Sequence, residues 1–195
     1  RLVPGRTLRS AAAPPKQLQV GIELAASLPV PAPKDSAFPS YQDWLRSAFT
    51  KVRKNYRPSR RILELMDAAW ELYAGVDDGQ RFLLHGDLHH DNILSAGDKG
   101  WKIIDPQGVI ATPLFECGRF IENHVIDDSG LDRALADEAV AAFAAAYHRP
   151  ARDVAAAFFV LHVLSTCWGF DMGYSEDQLA RQETECAEIL EILEP

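Results

Sequence analysis

The chain has 195 residues, 47% of them hydrophobic, and carries a formal net charge of −8, with a sequence pI near 5.2. That apolar fraction supports a sizeable core, so one globular domain or two closely packed subdomains is expected and a disordered chain is excluded. The acidic balance argues against a general nucleic-acid binder, which would show a basic face, and no uninterrupted apolar run of the ~18 residues needed to cross a membrane occurs.

Arg1 to Leu8 opens as an extended segment with a Pro4-Gly5 turn. Pro14-Pro15 seats a helix start, with Leu18, Ile22, Leu24 and Leu28 near helical spacing until Pro29 to Pro33 stop it. Leu28 to Pro39 is read as a surface connector. Ser40, with Asp43 behind it, predicts a capped helix to about Asn55 whose buried stripe is Trp44, Leu45, Phe49 and Val52. Ser59 caps the next helix, and Gly75 is expected to close it. The basic cluster Arg53, Lys54, Arg57, Arg60 and Arg61 between these helices is read as solvated.

Phe82 to Leu84 is a short apolar strand, and the polar loop His85-Gly-Asp87-Leu-His89-His90-Asp-Asn92 leads from it to a second strand at Ile93 and Leu94. Ala96 to Gly100 makes a hairpin turn to the strand Trp101 to Ile104, which delivers Asp105 to a turn ending at Gly108. Pro113 then opens a helix to about Val125, with Thr112 as its cap. The remainder reads as three helices, near Leu131 to Tyr147, Ala151 to Phe170 and Glu176 to Leu193. The second is apolar nearly all round, which places it at the centre of the fold. Cys117, Cys167 and Cys186 have no disulfide-framework or metal-ligand spacing and read as small apolar residues in a reducing, cytoplasmic setting.

Asp87 and Asn92 share one loop and Asp105 ends the adjacent strand, so two carboxylates and an amide oxygen can converge on one cleft. Such hard oxygen ligands suit Mg²⁺, which takes one or two carboxylates together with phosphate oxygens and water. A second reading takes His85, Asp87, His89 and His90 as the start of a zinc or di-metal hydrolase cluster, completed by His124, His148 or His162. A third is a binding module without turnover.

The two motifs His85-Gly-Asp87-Leu-His-His-Asp-Asn92 and Ile104-Asp105-Pro-Gln-Gly108 resemble the aminoglycoside phosphotransferase family of small-molecule kinases, in particular its streptomycin 6-kinase and hydroxyurea phosphotransferase branch. The resemblance implies an α+β, mainly helical fold: the large C-terminal lobe of a protein-kinase-like architecture, with a small β-hairpin carrying the catalytic loop. It implies ATP and Mg²⁺ as cofactors, Asp87 as catalytic base, His85 as a brace of the catalytic loop, and Asn92 and Asp105 as the metal and nucleotide ligands. Residues 1–8 resemble the hinge to a small nucleotide lobe and residues 9–195 the large lobe. The chain contains no G-x-G-x-x-G and no G-x-x-x-x-G-K-[ST]. A missing nucleotide lobe is therefore expected, and with it a chain that is inactive alone and self-associates through the face left bare. Where the family usually has Asp before the proline, this chain has Thr112.

The expected acceptor is a hydroxylated small molecule, with no nucleic-acid or membrane partner. Glu116, Glu122 and Asp171 are the expected substrate-side carboxylates. A cleft lined by one sign of charge concentrates the other, which makes a cationic acceptor the expectation.

Overall fold

The computed structural model describes residues 5–193; the part of the hinge-like expectation that falls on residues 1–4 lies outside them. Along the chain run α1 (Leu8–Ala11), α2 (Pro14–Ser27), β1 (Val30–Pro31), α3 (Tyr41–Asn55), α4 (Arg60–Val76), β2 (Phe82–Leu84), β3 (Ile93–Ser95), β4 (Trp101–Ile103), β5 (Val109–Ala111), α5 (Glu116–Val125), β6 (Ile126–Asp127), β7 (Gly130–Leu131), α6 (Arg133–Tyr147), α7 (Ala151–Met172) and α8 (Glu176–Ile192).

Local chemistry sets many of the helix ends. Ser40 and Asp43 form a reciprocal capping box at α3, Ser175 and Gln178 form another at α8, and the Ser59 hydroxyl accepts from Ile62 N at α4. Four boundaries differ from the sequence reading. Helix α4 passes through Gly75 and ends at Val76. Thr112 makes no side-chain capping bond, and Pro113 opens a single 3₁₀ turn before α5. Residues 126–131 form a small hairpin, β6 with β7, so α6 starts at Arg133 under the cap of Asp132. The expected connector before α3 contains β1, whose Val30 pairs with Leu83.

Helix α7 is the axis of the molecule. Its sides are buried by α3, α4, α5, α6 and α8, so the all-round apolar sequence is what a central core helix requires. By length and composition alone it could cross a membrane, but most of it is buried inside the fold. Gly118 lets α5 approach closely, since a Cβ there would lie 3.0 Å from Ala157 O on α7.

The strands are divided between sheets in a way that shapes the site. β2 lies between β1 and β5, antiparallel to both, while β3 and β4 form a separate hairpin. The loop after β2 therefore leaves one sheet and enters another. The described part of the expected hinge segment holds the hairpin in place: Ser95 N donates to Arg6 O, and Gly5 lies so close to Ser95 that a side chain would overlap its carbonyl.

Candidate active site

The loop from His85 to Asn92 is held at both ends by backbone pairing and underneath by a buried acid. Pairing of Leu84 with Val109 brings the Asp105–Gly108 turn beside His85, whose carbonyl accepts from both Gln107 N and Gly108 N. Ile104 N donates to Asn92 O. The backbone of Asp105 is thus bracketed between contacts to His85 and Asn92. Asp105 itself has φ 60°, a left-handed conformation that costs energy for a residue with a Cβ and persists where surrounding bonds impose it. Gly86, at φ 76°, fits a similar turn between Trp44 and Val109 without that cost.

His85 is buried, and both ring nitrogens serve the backbone: Nδ1 accepts from Asp87 N at 3.2 Å and Nε2 donates to Ile104 O at 3.0 Å. Burial depresses its pKa, so the neutral ring that this pattern needs is favoured. Its geometry is that of a brace between loop and turn rather than a group that reaches reactants.

Asp87 faces the cleft with its carboxylate approached from two sides. Asn92 Nδ2 donates to Asp87 O at 3.0 Å and lies 3.4 Å from Oδ2, while Arg119 Nε, from α5, lies 3.1 Å from Oδ1. Burial pushes the Asp87 carboxyl up, but the His89 imidazole at 3.7 Å and the Arg119 charge outweigh it and hold the group below its usual range. Asn92 keeps its side-chain carbonyl oxygen free of these bonds, and the Asp105 carboxylate is exposed and engaged by no donor among the described residues.

The expected substrate-side carboxylates sit differently from the sequence reading. Glu116 is 1% exposed and lies beneath the loop, accepting from His85 N at 2.6 Å and Gly86 N at 3.2 Å. Burial raises its pKa to about 7, against the pull of those two N–H groups. Glu122 is buried between Arg119 and His162. Asp171 does reach the cleft rim, but it pairs with Lys51 at 2.6 Å and accepts from Tyr56 at 2.9 Å. Glu116 and Glu122 are buried and Asp171 is paired, each engaged by a partner distant in sequence, so together they do not make the one-sign lining that was expected.

The cleft over Asp87 has a volume of about 610 Å³. Trp44 and Trp168 line it, their rings meeting edge to face at 5.7 Å, and Lys51, Arg119 and Asn123 are among its polar groups.

The histidines of the alternative hydrolase reading diverge. His89 Nδ1 accepts from Asp91 N, and His90 turns inward to stack on Phe120 at 4.4 Å and meet His124 at 3.1 Å. His162 lies between Glu122 and Glu185, and His148 is exposed. Among the described residues, no three His, Cys, Asp or Glu side chains are arranged to hold one metal ion.

Solved structures share this arrangement of helices and small sheets. A thermostable mutant of aminoglycoside phosphotransferase APH(4)-Ia, in a ternary complex with ADP and hygromycin B, matches with a TM-score of 0.68 at 16% identity, over 100% of this chain and 71% of its own. Choline kinase from Cryptosporidium parvum Iowa II matches with a TM-score of 0.64 at 16% identity, over 98% of this chain and 69% of its own. These likenesses define the class as the mainly helical large lobe of a protein-kinase-like fold. Within it, the chain belongs to the aminoglycoside/hydroxyurea antibiotic resistance kinase family, whose match extends over residues 1–173. Streptomycin 3''-kinase from Klebsiella pneumoniae is 42% identical over 52 residues, a stretch covering 27% of this chain and 20% of that relative's length.

Proposed function

We propose that the protein transfers the γ-phosphoryl group of ATP to a hydroxyl of a small molecule. The observation that carries this reading is the bracketing of Asp105 by backbone bonds to His85 and Asn92, on the loop that also presents Asp87 to the cleft. Phosphoryl transfer asks a protein for positioning and charge neutralisation more than for covalent chemistry.

In this reading Asp87 receives the hydrogen bond, and then the proton, of the acceptor hydroxyl. His85 holds the loop and turn in register, and Glu116 fixes the start of the loop from below. The side-chain oxygen of Asn92 and the carboxylate of Asp105, which no donor engages among the described residues, fit Mg²⁺, which favours few protein oxygens and leaves positions for phosphates and water. Bound there, Mg²⁺ supplies charge neutralisation for the phosphates of the nucleotide. The 195 residues contain no G-x-G-x-x-G and no G-x-x-x-x-G-K-[ST], so by themselves they are expected to bind ATP weakly and turn over poorly.

For the acceptor, aminoglycosides and hydroxyurea are the first candidates, since these compounds describe the family. The cleft walls, with Asp87 set against Arg119 and Asp171 against Lys51, support selection by ring shape and hydroxyl placement against Trp44 and Trp168 more than by net charge. The test is incubation of the full-length protein with ATP, Mg²⁺ and a panel of aminoglycosides, hydroxyurea and neutral sugars at two salt concentrations. ATP-dependent appearance of a phosphorylated acceptor is expected, with modest salt sensitivity. ATP consumption with no phosphorylated product from any hydroxylated acceptor would remove the reading.

A further inference from the structure

One cation in the cleft takes no part in the scheme above. Arg119 lies on α5, and its side chain is only 18% exposed. A buried cation costs several kcal/mol unless its surroundings pair it well, and this one is held on several sides. Nη1 donates to Glu122 Oε2 at 2.5 Å and to Ser165 Oγ at 3.2 Å, and the guanidinium lies 5.7 Å from the Trp168 ring centre. Behind it the charges alternate through the core. Glu122 Oε1 meets His162 Nδ1 at 2.9 Å, His162 Nε2 meets Glu185 Oε2 at 3.4 Å, and Glu185 Oε1 accepts from Arg181 Nε at 2.9 Å.

Arg119 is the cleft end of this chain, and Asp87 is what it touches there. Glu122 already has His162 as a counter-charge, so balancing the core does not by itself require a cation that reaches the cleft. The contact to Asp87 has a particular geometry. Arg119 Nε is 3.1 Å from Asp87 Oδ1, yet no acceptor is aligned with its N–H as a hydrogen bond. The guanidinium therefore holds Oδ1 by charge rather than through an aligned hydrogen bond. From the other side Asn92 reaches the Asp87 carbonyl and lies near Oδ2.

We propose that Arg119 is a positioning residue, which fixes the Asp87 carboxylate in the orientation that receives the acceptor hydroxyl and is itself fixed through Glu122 by the buried chain from α8. This rests on the phosphotransferase reading. It makes the rate of transfer depend on the partner that holds Asp87 as well as on Asp87 itself.

The test uses the full-length protein and the variants R119A and R119K, with R119Q/E122Q as a second route in which Glu122 is not left short of a partner. Misplacement of a reacting group by about 1 Å costs on the order of a hundredfold in rate. R119A is accordingly expected to lose tenfold to a hundredfold in kcat with KM for ATP within about twofold, and R119K to recover part of that loss. Added guanidinium should restore R119A activity saturably, whereas ammonium at equal ionic strength should not. An R119A protein that is less stable to heat but keeps kcat at temperatures where it is folded would overturn the proposal, as would a change confined to KM for the acceptor. A crystal structure of R119A reads the same claim without turnover: the Asp87 carboxylate should leave its present position, and an unmoved Asp87 would defeat the proposal. If the wild-type protein itself transfers no phosphoryl group, the phosphotransferase reading fails on its own, and the R119A structure still decides whether Arg119 places Asp87.

Discussion

Glu116 and His162 are two buried titratable groups whose partners the linear sequence conceals. Glu116 accepts from the backbone of residues 30 and 31 positions earlier, so Glu116→Ala leaves one buried and one half-buried N–H group without an acceptor. Each such orphan costs about 1–3 kcal/mol. The variant should lose stability on that scale and lose turnover with it, because the loop start is unpinned; a turnover unchanged in a stably folded Glu116→Ala protein would show that the bonds to His85 and Gly86 do not organise the loop. His162 makes a pH prediction. Burial lowers its pKa, but Glu122 and Glu185 raise it further, to about 9 from the usual 6.5. The folded state then holds a proton that the unfolded state releases between those values. The stabilisation is complete below about 6.5 and is lost as pH rises through about 9. Thermal midpoints measured across that window should fall more steeply in the wild type than in His162→Gln, and parallel curves would contradict the assignment.

At the scale of elements, the helices and the strand–loop–strand motif are legible in the sequence because their signals are local. Ser40, Ser59 and Ser175 mark helix starts by bonds to residues three positions on, and the apolar continuity of Val154 to Leu164 marks the central helix. The pairings that place the site are not local. β1 and β5 are two- and three-residue strands whose partner β2 lies far along the chain, too short to leave a periodic pattern. The same reason explains the substrate-side carboxylates: Glu122 is engaged from 40 positions away and Asp171 from 120, so exposure could not be judged from neighbours in sequence. Arg119 looks like any helix-surface arginine until α5 is docked against the loop. Helix packing also carries a prediction. A Cβ on Gly21 of α2 would come within 2.2 Å of the Phe120 ring, which is 0% exposed and stacked on His90 of the loop. The ring has no room to retreat, so Gly21→Ala should cost about 1–3 kcal/mol as an overpacked core. The denaturation midpoint reports it, and a variant as stable as the wild type would mean that Phe120 can move without cost.

Over the whole molecule, helices packed around α7 form the base, and two of the three small sheets, β1-β2-β5 and β3-β4, carry one polar loop and one turn to the same cleft. The apolar side chains Phe38 and Ile104, 46% and 41% exposed, flank the turn that carries Asp105, so the 195-residue chain alone should show concentration-dependent association in sedimentation velocity. A single sharp monomer boundary at high concentration would rule that out. The central claim is that Asp87 acts on the acceptor while Asn92 and Asp105 serve the nucleotide, and single-turnover phosphoryl transfer in the full-length protein separates the two roles. Asp87→Asn should slow the transfer step by roughly 10²–10⁴-fold, the usual contribution of a positioned base, while ATP affinity stays near the wild-type value. Asp105→Asn should weaken Mg²⁺-dependent ATP binding. An Asp87→Asn protein that transfers the phosphoryl group at the wild-type rate would contradict the account.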